Sequence, residues 1–258
     1  MSLLFQRKSS PLFFFLLSAL CTAIFSNPRY ITDSYEYAII ASCWADSAFL
    51  GIDCSQVNYF FRQPFPSFLV LLSSPILEPF IGIGFWAWIA STILLWLVWF
   101  AGRRFFSEKL AIWLWIAFAV SPFLRHLNSF ADSRIIALPL IFWAGISLSL
   151  PDKNRWVVFS GAVACLLAFL TRMEALLLLP IFLFFQILLK RGSWKTTLLL
   201  FGSCIGIWLL GIWSQGGIFS ISPRYWEGFL LQTIDRMPLR WSLDLFGMGI
   251  WSPPLRRI

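Results

Sequence analysis

Charge and histidine are scarce in these 258 residues. Charged side chains make up 12% of the chain, with 12 acids against 20 Lys and Arg, and His126 is the only histidine. A lone histidine cannot assemble a zinc site by itself, and His126 reads as a polar interfacial residue. The five cysteines, Cys21, Cys43, Cys54, Cys165 and Cys204, contain no CxxC, so neither a zinc ribbon nor a disulfide framework is written into their spacing. Cys43 and Cys54 are the two that can pair, with free thiols the equal alternative. The basic excess of +8 falls in small groups between apolar runs. It lacks the continuous basic stripe with interleaved aromatics of a nucleic-acid-binding face, so nucleic acid is excluded as a partner. No internal repeat is present, which excludes a solenoid.

What the chain has instead is apolar surface. Hydrophobic residues reach 59% and aromatics 19%, with a mean hydropathy of +0.78, and this composition predicts an all-α, polytopic membrane protein. Arg7 and Lys8 precede an apolar run at 11–26 that has the look of a secretory signal but no small-residue cleavage site, so it reads as an uncleaved first helix. Further runs lie at 83–101, 110–124, 135–150, 157–171, 175–189 and 197–213, each bounded by charges, Pro or Gly. The run 64–80 carries Pro64, Pro66, Pro75, Pro79 and Glu78, a poor composition for a helix that must satisfy its own backbone in lipid.

The positive-inside rule decides how that run is placed. If 63–82 lies along the interface without crossing, the loops holding Arg103, Arg104 and Lys109, then Lys153 and Arg155, then Lys190, Arg191 and Lys195 join Arg7 and Lys8 inside. The whole formal charge of +8 then sits on the inner side. The expectation is seven transmembrane helices in one membrane domain, 1–213. A first outer loop at 27–62 carries a juxtamembrane helix, and an outer tail follows at 214–258. The Trp residues read as membrane packing and interface belts.

The chemistry collects on the expected outer face. Asp33, with Glu36 three residues on, opens either a capping-box-like helix start, with Tyr37, Ile40, Trp44 and Ala48 along the bilayer, or a catalytic acid. Arg62, at the mouth of the proline-rich run, either snorkels to headgroups or binds a lipid phosphate. Arg125, His126, Asp132 and Arg134 share the second outer loop, where Asp132 pairs with Arg134, caps a helix starting at Ser133, or serves a site. Arg172 and Glu174, isolated between apolar runs, make either a local turn pair or an anion-binding group.

Five carriers, taken in order, resemble the GT-C superfamily of membrane glycosyltransferases, in its protein O-mannosyltransferase and aminoarabinose transferase branch. They are Asp33, the Arg62-Gln63-Pro64-Phe65-Pro66 run, Gly102-Arg103-Arg104-Phe105, Ser121-Pro122 followed by Asp132, and Thr171-Arg172-Met173-Glu174. The resemblance implies transfer of a sugar, with inversion, from a polyprenyl-phosphate donor to a lipid, glycan or protein acceptor. The setting would be the outer face of a bacterial cytoplasmic membrane, in a cell-envelope glycan pathway. It implies Asp33 as the catalytic carboxylate, Asp132 as a second acidic site residue, and Arg62 and Arg172 as partners of the donor phosphate. Glu36, Arg125, His126, Arg134 and Glu174 would line the site or meet the acceptor.

The physical chemistry agrees with that mapping. A lipid phosphate leaves as a stable anion, so its departure needs positive charge more than a strong general acid, and one carboxylate suffices to take the acceptor proton. No particular cofactor is implied; a divalent cation is compatible with the mechanism, with Asp132 either an orienting group or its ligand. Members of the superfamily are longer than this chain, which raises the expectation of a truncated protein or a partner subunit. The rival class is a non-catalytic protein that binds or translocates the lipid carrier, or an assembly subunit, using the same arginines.

Overall fold

The computed structural model describes residues 10–25, 32–45, 64–122, 124, 131–150, 154–172, 175 and 177–214. Among them are nine helices and no strand: α1 (Pro11–Phe25), α2 (Thr32–Trp44), α3 (Pro64–Ser73), α4 (Pro79–Phe105), α5 (Glu108–Ala119), α6 (Ser133–Ser149), α7 (Arg155–Thr171), α8 (Leu178–Leu188) and α9 (Trp194–Ser214). The chain divides into two units, Met1–Ile205 and Gly206–Ile258. Of the second, only the end of α9 is described.

Prolines mark where helices begin. Pro64 and Pro66 fall in the first turn of α3, and Pro79 is the first residue of α4. Backbone N–H groups there have no intrahelical acceptor, so proline forfeits nothing. Pro75 lies in the turn between the two helices. A capped two-residue turn joins α4 to α5. Arg103 and Arg104 occupy the last turn of α4, where cations meet the negative end of the helix dipole, and the Ser107 side chain accepts from Leu110 N–H at 3.3 Å to start α5. Gly102 lets α5 approach closely: a Cβ there would stand 2.8 Å from the Ala111 Cα.

α4 is the hub of the larger unit, packing against α1, α2, α3, α5 and α6. Tyr37 and Ala41 of α2, Val70 of α3, Ile83, Ala90 and Leu94 of α4 and Ile135 of α6 form one buried cluster. Phe14, Leu95, Trp99, Ala111 and Trp115 form another across α1, α4 and α5, with Phe14 stacked on Trp99 at 4.6 Å. Hydroxyls and indoles stitch the same seam: Thr22 to Thr92 at 2.9 Å, the Trp115 indole N–H to Ser18 Oγ at 2.9 Å, and the Trp88 indole N–H to the Ala19 carbonyl at 3.3 Å. α6 and α7 form a close hairpin in which a Cβ on Gly161 would fall 1.8 Å from Ser147 Oγ.

The expected set of seven transmembrane helices is not what these helices form. Among the described residues one helix, α4 with 27 residues, is long and apolar enough to cross a membrane. The runs expected as spans at 11–26, 110–124, 135–150, 157–171 and 175–189 are helices of 15, 12, 17, 17 and 11 residues. At about 1.5 Å per residue the longest of these extends about 25 Å, less than a hydrocarbon core of about 30 Å. α9 is 21 residues long, with the side chains of its last part outside the described residues.

Local chemistry explains the shortening. α5 stops before Ser121-Pro122, since the residue ahead of a proline is disfavoured in helical conformation. α8 closes in a left-handed turn, with Lys190 at φ 51°, Gly192 at φ 65° and Arg191 N–H reaching back to the Gln186 carbonyl at 3.0 Å. α2 differs from expectation as well. It is no surface helix along a bilayer, because Tyr37, Ile40 and Ala41 are buried inside the bundle. Ala48 and the tail at 215–258 lie outside the described residues.

The α6–α7 hairpin has two chemically distinct ends. At one, Leu97, Ile146 and Leu150 cluster with Val157, and the Arg191 guanidinium donates to the Leu148 carbonyl, gathering the last turns of α4, α6 and α8 and the first turn of α7. At the other lie the start of α6 and the end of α7.

Candidate functional site

The site begins with the backbone that precedes α6. Asp132 is extended (φ −128°, ψ 155°) and occupies the N-cap position, yet its side chain makes no capping bond to the helix. The carboxylate turns instead to its neighbours. Oδ1 accepts from the Ser133 hydroxyl at 3.1 Å, and Oδ2 accepts from Arg134 Nε in a short ion pair. Asp132 is 2% exposed, whereas the Arg134 side chain is 58% exposed. A buried carboxylate must be compensated, and both of its oxygens are engaged here.

Arg172 reaches the same place from the far side of the hairpin. It ends α7 in extended conformation (φ −147°, ψ 127°), with its N–H on the Ala168 carbonyl at 2.8 Å. Leaving helical geometry swings the side chain off the helix, and Nη1 donates to Ser133 Oγ at 3.3 Å. Ser133, 1% exposed, therefore accepts from Arg172 while donating to Asp132, the one-donor, two-acceptor capacity of a hydroxyl.

α2 is tied in by a second serine. The buried Ser34 hydroxyl donates to the Ala131 carbonyl, one residue before Asp132. This places the first turn of α2, which contains Asp33, beside the 131–133 segment. Tyr35 packs edge-on against Phe80 at 4.7 Å, fixing the same turn to the start of α4. Glu36 is half-buried one position on. Cys43, near the other end of α2, is disulfide-bonded, and Cys54 lies outside the described residues.

The residues singled out in the sequence thus divide into two groups. Asp132, Arg134 and Arg172 meet around Ser133, and the Asp33 turn adjoins them through Ser34. The Asp33 side chain lies outside the description, as do Arg62, Arg125, His126 and Glu174. Ser34 and Ser133 were not picked out, although each directly follows a candidate acid, in the pairs Asp33-Ser34 and Asp132-Ser133. Among the described residues no group of three His, Cys, Asp or Glu could hold a metal ion. The arrangement brings together the Arg172 guanidinium, bonded to Ser133, and the solvent-facing Arg134 guanidinium, paired with Asp132.

No protein-family model, no curated protein and no solved structure matches this chain. Its candidate site rests on the geometry above.

Proposed function

We propose that this protein is a membrane-bound glycosyltransferase that moves a sugar from a polyprenyl-phosphate donor to a lipid, glycan or protein acceptor. The observation that carries the reading is the meeting of Arg172, Ser133 and Asp132 beside the Asp33-bearing turn of α2. In this mechanism an acceptor hydroxyl attacks the anomeric carbon from the face opposite the phosphate. The bond from that carbon to the phosphate oxygen breaks, and both electrons leave with the phosphate. Arg172, joined by Arg62, stabilises the departing anion. Asp33 takes the acceptor proton. Asp132, with both oxygens engaged, serves as an orienting group and not as a base.

Three further features support the reading. The order of the five sequence carriers resembles the GT-C superfamily. The Cys43 disulfide suits an oxidising compartment, consistent with a site outside the cytoplasm. Leu12, Leu16, Leu20 and Ile24, spaced by four along α1, form an exposed apolar stripe, and Ile181, Phe184 and Leu188 expose another on α8. In this proposal both stripes face acyl chains, with α4 as the long span.

The test is transfer by the purified full chain in lipid vesicles, offered a panel of polyprenyl-phosphate sugars. Wild type should yield glycosylated acceptor with inverted anomeric configuration, and Asp33→Asn should not. Equal transfer by Asp33→Asn would overturn the catalytic assignment. Donor binding without transfer to any acceptor would identify the protein as a lipid-carrier binding protein.

A further inference from the structure

We infer that Ser133 is the positioning residue that aims the Arg172 guanidinium at the donor phosphate, acting through a hydrogen-bond chain anchored on Asp132. The inference rests on the donor-site reading above and adds a residue that reading does not use.

Arg172 is the C-cap that directly follows α7 and is extended, so the helix does not fix the direction of its side chain. Its Nη1 instead meets Ser133 Oγ at 3.3 Å. That oxygen is itself oriented, since its single proton points to Asp132 Oδ1 at 3.1 Å and a lone pair is left for the guanidinium. Asp132 is held in turn by the Arg134 ion pair and by its place beside Ala131, whose carbonyl takes the Ser34 hydroxyl. Arg172, Ser133 and Asp132 thus stand in a row running from half-buried to fully buried, and polarisation along such a chain strengthens each link. A guanidinium has five N–H donors in a rigid fork. Fixing Nη1 helps set the plane of the fork, and a set plane is what bidentate recognition of a phosphate requires.

The chain also accounts for the unusual start of α6. An aspartate at an N-cap ordinarily bonds the amides of its own helix. Here the carboxylate gives up that role and holds Ser133 and Arg134.

The test measures binding of sugar-free polyprenyl phosphate to the full chain in phosphatidylcholine nanodiscs, by native mass spectrometry, alongside the transfer assay. Ser133→Ala should weaken binding about tenfold, the size of one lost hydrogen bond to a charged group. Ser133→Thr, which keeps the hydroxyl, should restore it. In an Arg172→Ala background Ser133→Ala should add nothing, because the serine acts through the arginine. Ser147→Ala, the same change at an equally buried serine at the far end of α6, should bind as wild type.

If Arg172→Ala weakens binding while Ser133→Ala does not, or if the two losses add, the role of Ser133 is overturned and the donor site stands. If Arg172→Ala binds as wild type, both fall. The expected binding pattern without transfer of any sugar would leave Ser133 in place and remove the glycosyltransferase reading. Equal displacement by inorganic phosphate at matched concentration would overturn a lipid-phosphate site. Should Ser133→Ala fail to fold, Ser133→Cys, close in size and a weaker partner, should give an intermediate loss, and wild-type binding there would overturn the role.

Discussion

Two arginines reach α6 from other helices, one at each end, and they do different things. Arg191 donates to the backbone carbonyl of Leu148 in the last turn of α6, one of the four carbonyls that a helix leaves without an internal partner. Arg172 donates to the side-chain hydroxyl of Ser133 in the first turn, which a buried carboxylate holds in turn. The first contact finishes a helix. The second spends a cation on a side chain whose own neighbours are an acid and an adjoining acid-bearing turn. At the Arg191 end, Arg103, Arg104, Arg155 and Lys190 lie at helix ends, outnumbering the acid Glu108 that opens α5. Around Arg172 charges of both signs meet. Excess positive charge suits anchoring and orientation; mixed charge around a buried chain suits chemistry.

The strongest way to break this contrast is to remove a charge at each end and compare rates. Asp33→Asn should lower sugar transfer by about 10² to 10⁴-fold, the range for losing a general base. Arg103→Gln, at the opposite end, should leave the transfer rate of the reconstituted protein unchanged. If both variants lose activity alike, the division of labour between the ends is wrong.

Next in size is the covalent tie at the end of α2 away from the site. Reduction, or Cys43→Ser, should lower the stability of the purified protein by about 2–4 kcal/mol, read by denaturant unfolding in detergent. An unchanged midpoint would show that the packing of Tyr37, Ile40 and Ala41 holds α2 without the disulfide.

Positions of helices were readable from the sequence far better than their lengths. The run at 83–101 is the middle of α4, and the runs at 135–150 and 157–171 coincide nearly with α6 and α7. Apolar composition marks where a helix can lie; capping groups and prolines decide where it stops, and these are short-range details inside an apolar run. Thus 110–124 lost its end to Pro122, and 175–189 lost its beginning to a turn before Leu178 and its end to Lys190 and Gly192. The reading of seven spans failed on those lengths.

The site was partly legible for a related reason. Isolated charges are conspicuous in a chain with 12% charged residues, so Asp132, Arg134 and Arg172 stood out. Of the alternatives open for Asp132, the pair with Arg134 is present, while the cap is not: a helix starts at Ser133, but the carboxylate makes no capping bond to it. Serine carries no such signal, since serines here also bond back to a carbonyl of their own helix, as Ser147 and Ser149 do. Only the fold shows that Ser133 joins two helices.

A smaller effect sharpens the contrast along the hairpin itself. Gly161→Ala should destabilise by about 1–3 kcal/mol, as overpacking does, because the new methyl would lie within 2.7 Å of the Ser147 Cβ in a buried contact. Gly145→Ala, with open space around it on the same hairpin, should instead stabilise by about 0.5–1 kcal/mol through helix propensity. Thermal unfolding of the two variants in detergent would check both signs. Equal shifts would mean that α6 and α7 do not hold this close approach.

The smallest effect is the most discriminating. Arg191→Met should reduce stability by only about 0.5–1.5 kcal/mol, the net value of one hydrogen bond. It leaves the Leu148 carbonyl at a helix end, and a long apolar side chain keeps most of the packing. Polyprenyl-phosphate binding should be unaffected, since this arginine is consumed by backbone and stands a helix length from Ser133. Were Arg191→Met to weaken binding as Arg172→Ala does, the lipid phosphate would be answering to positive charge in general. The hydrogen-bond chain at the start of α6 would then have no special claim on it. A loss confined to Arg172 would instead tie recognition to the one guanidinium that a buried serine and aspartate hold in place.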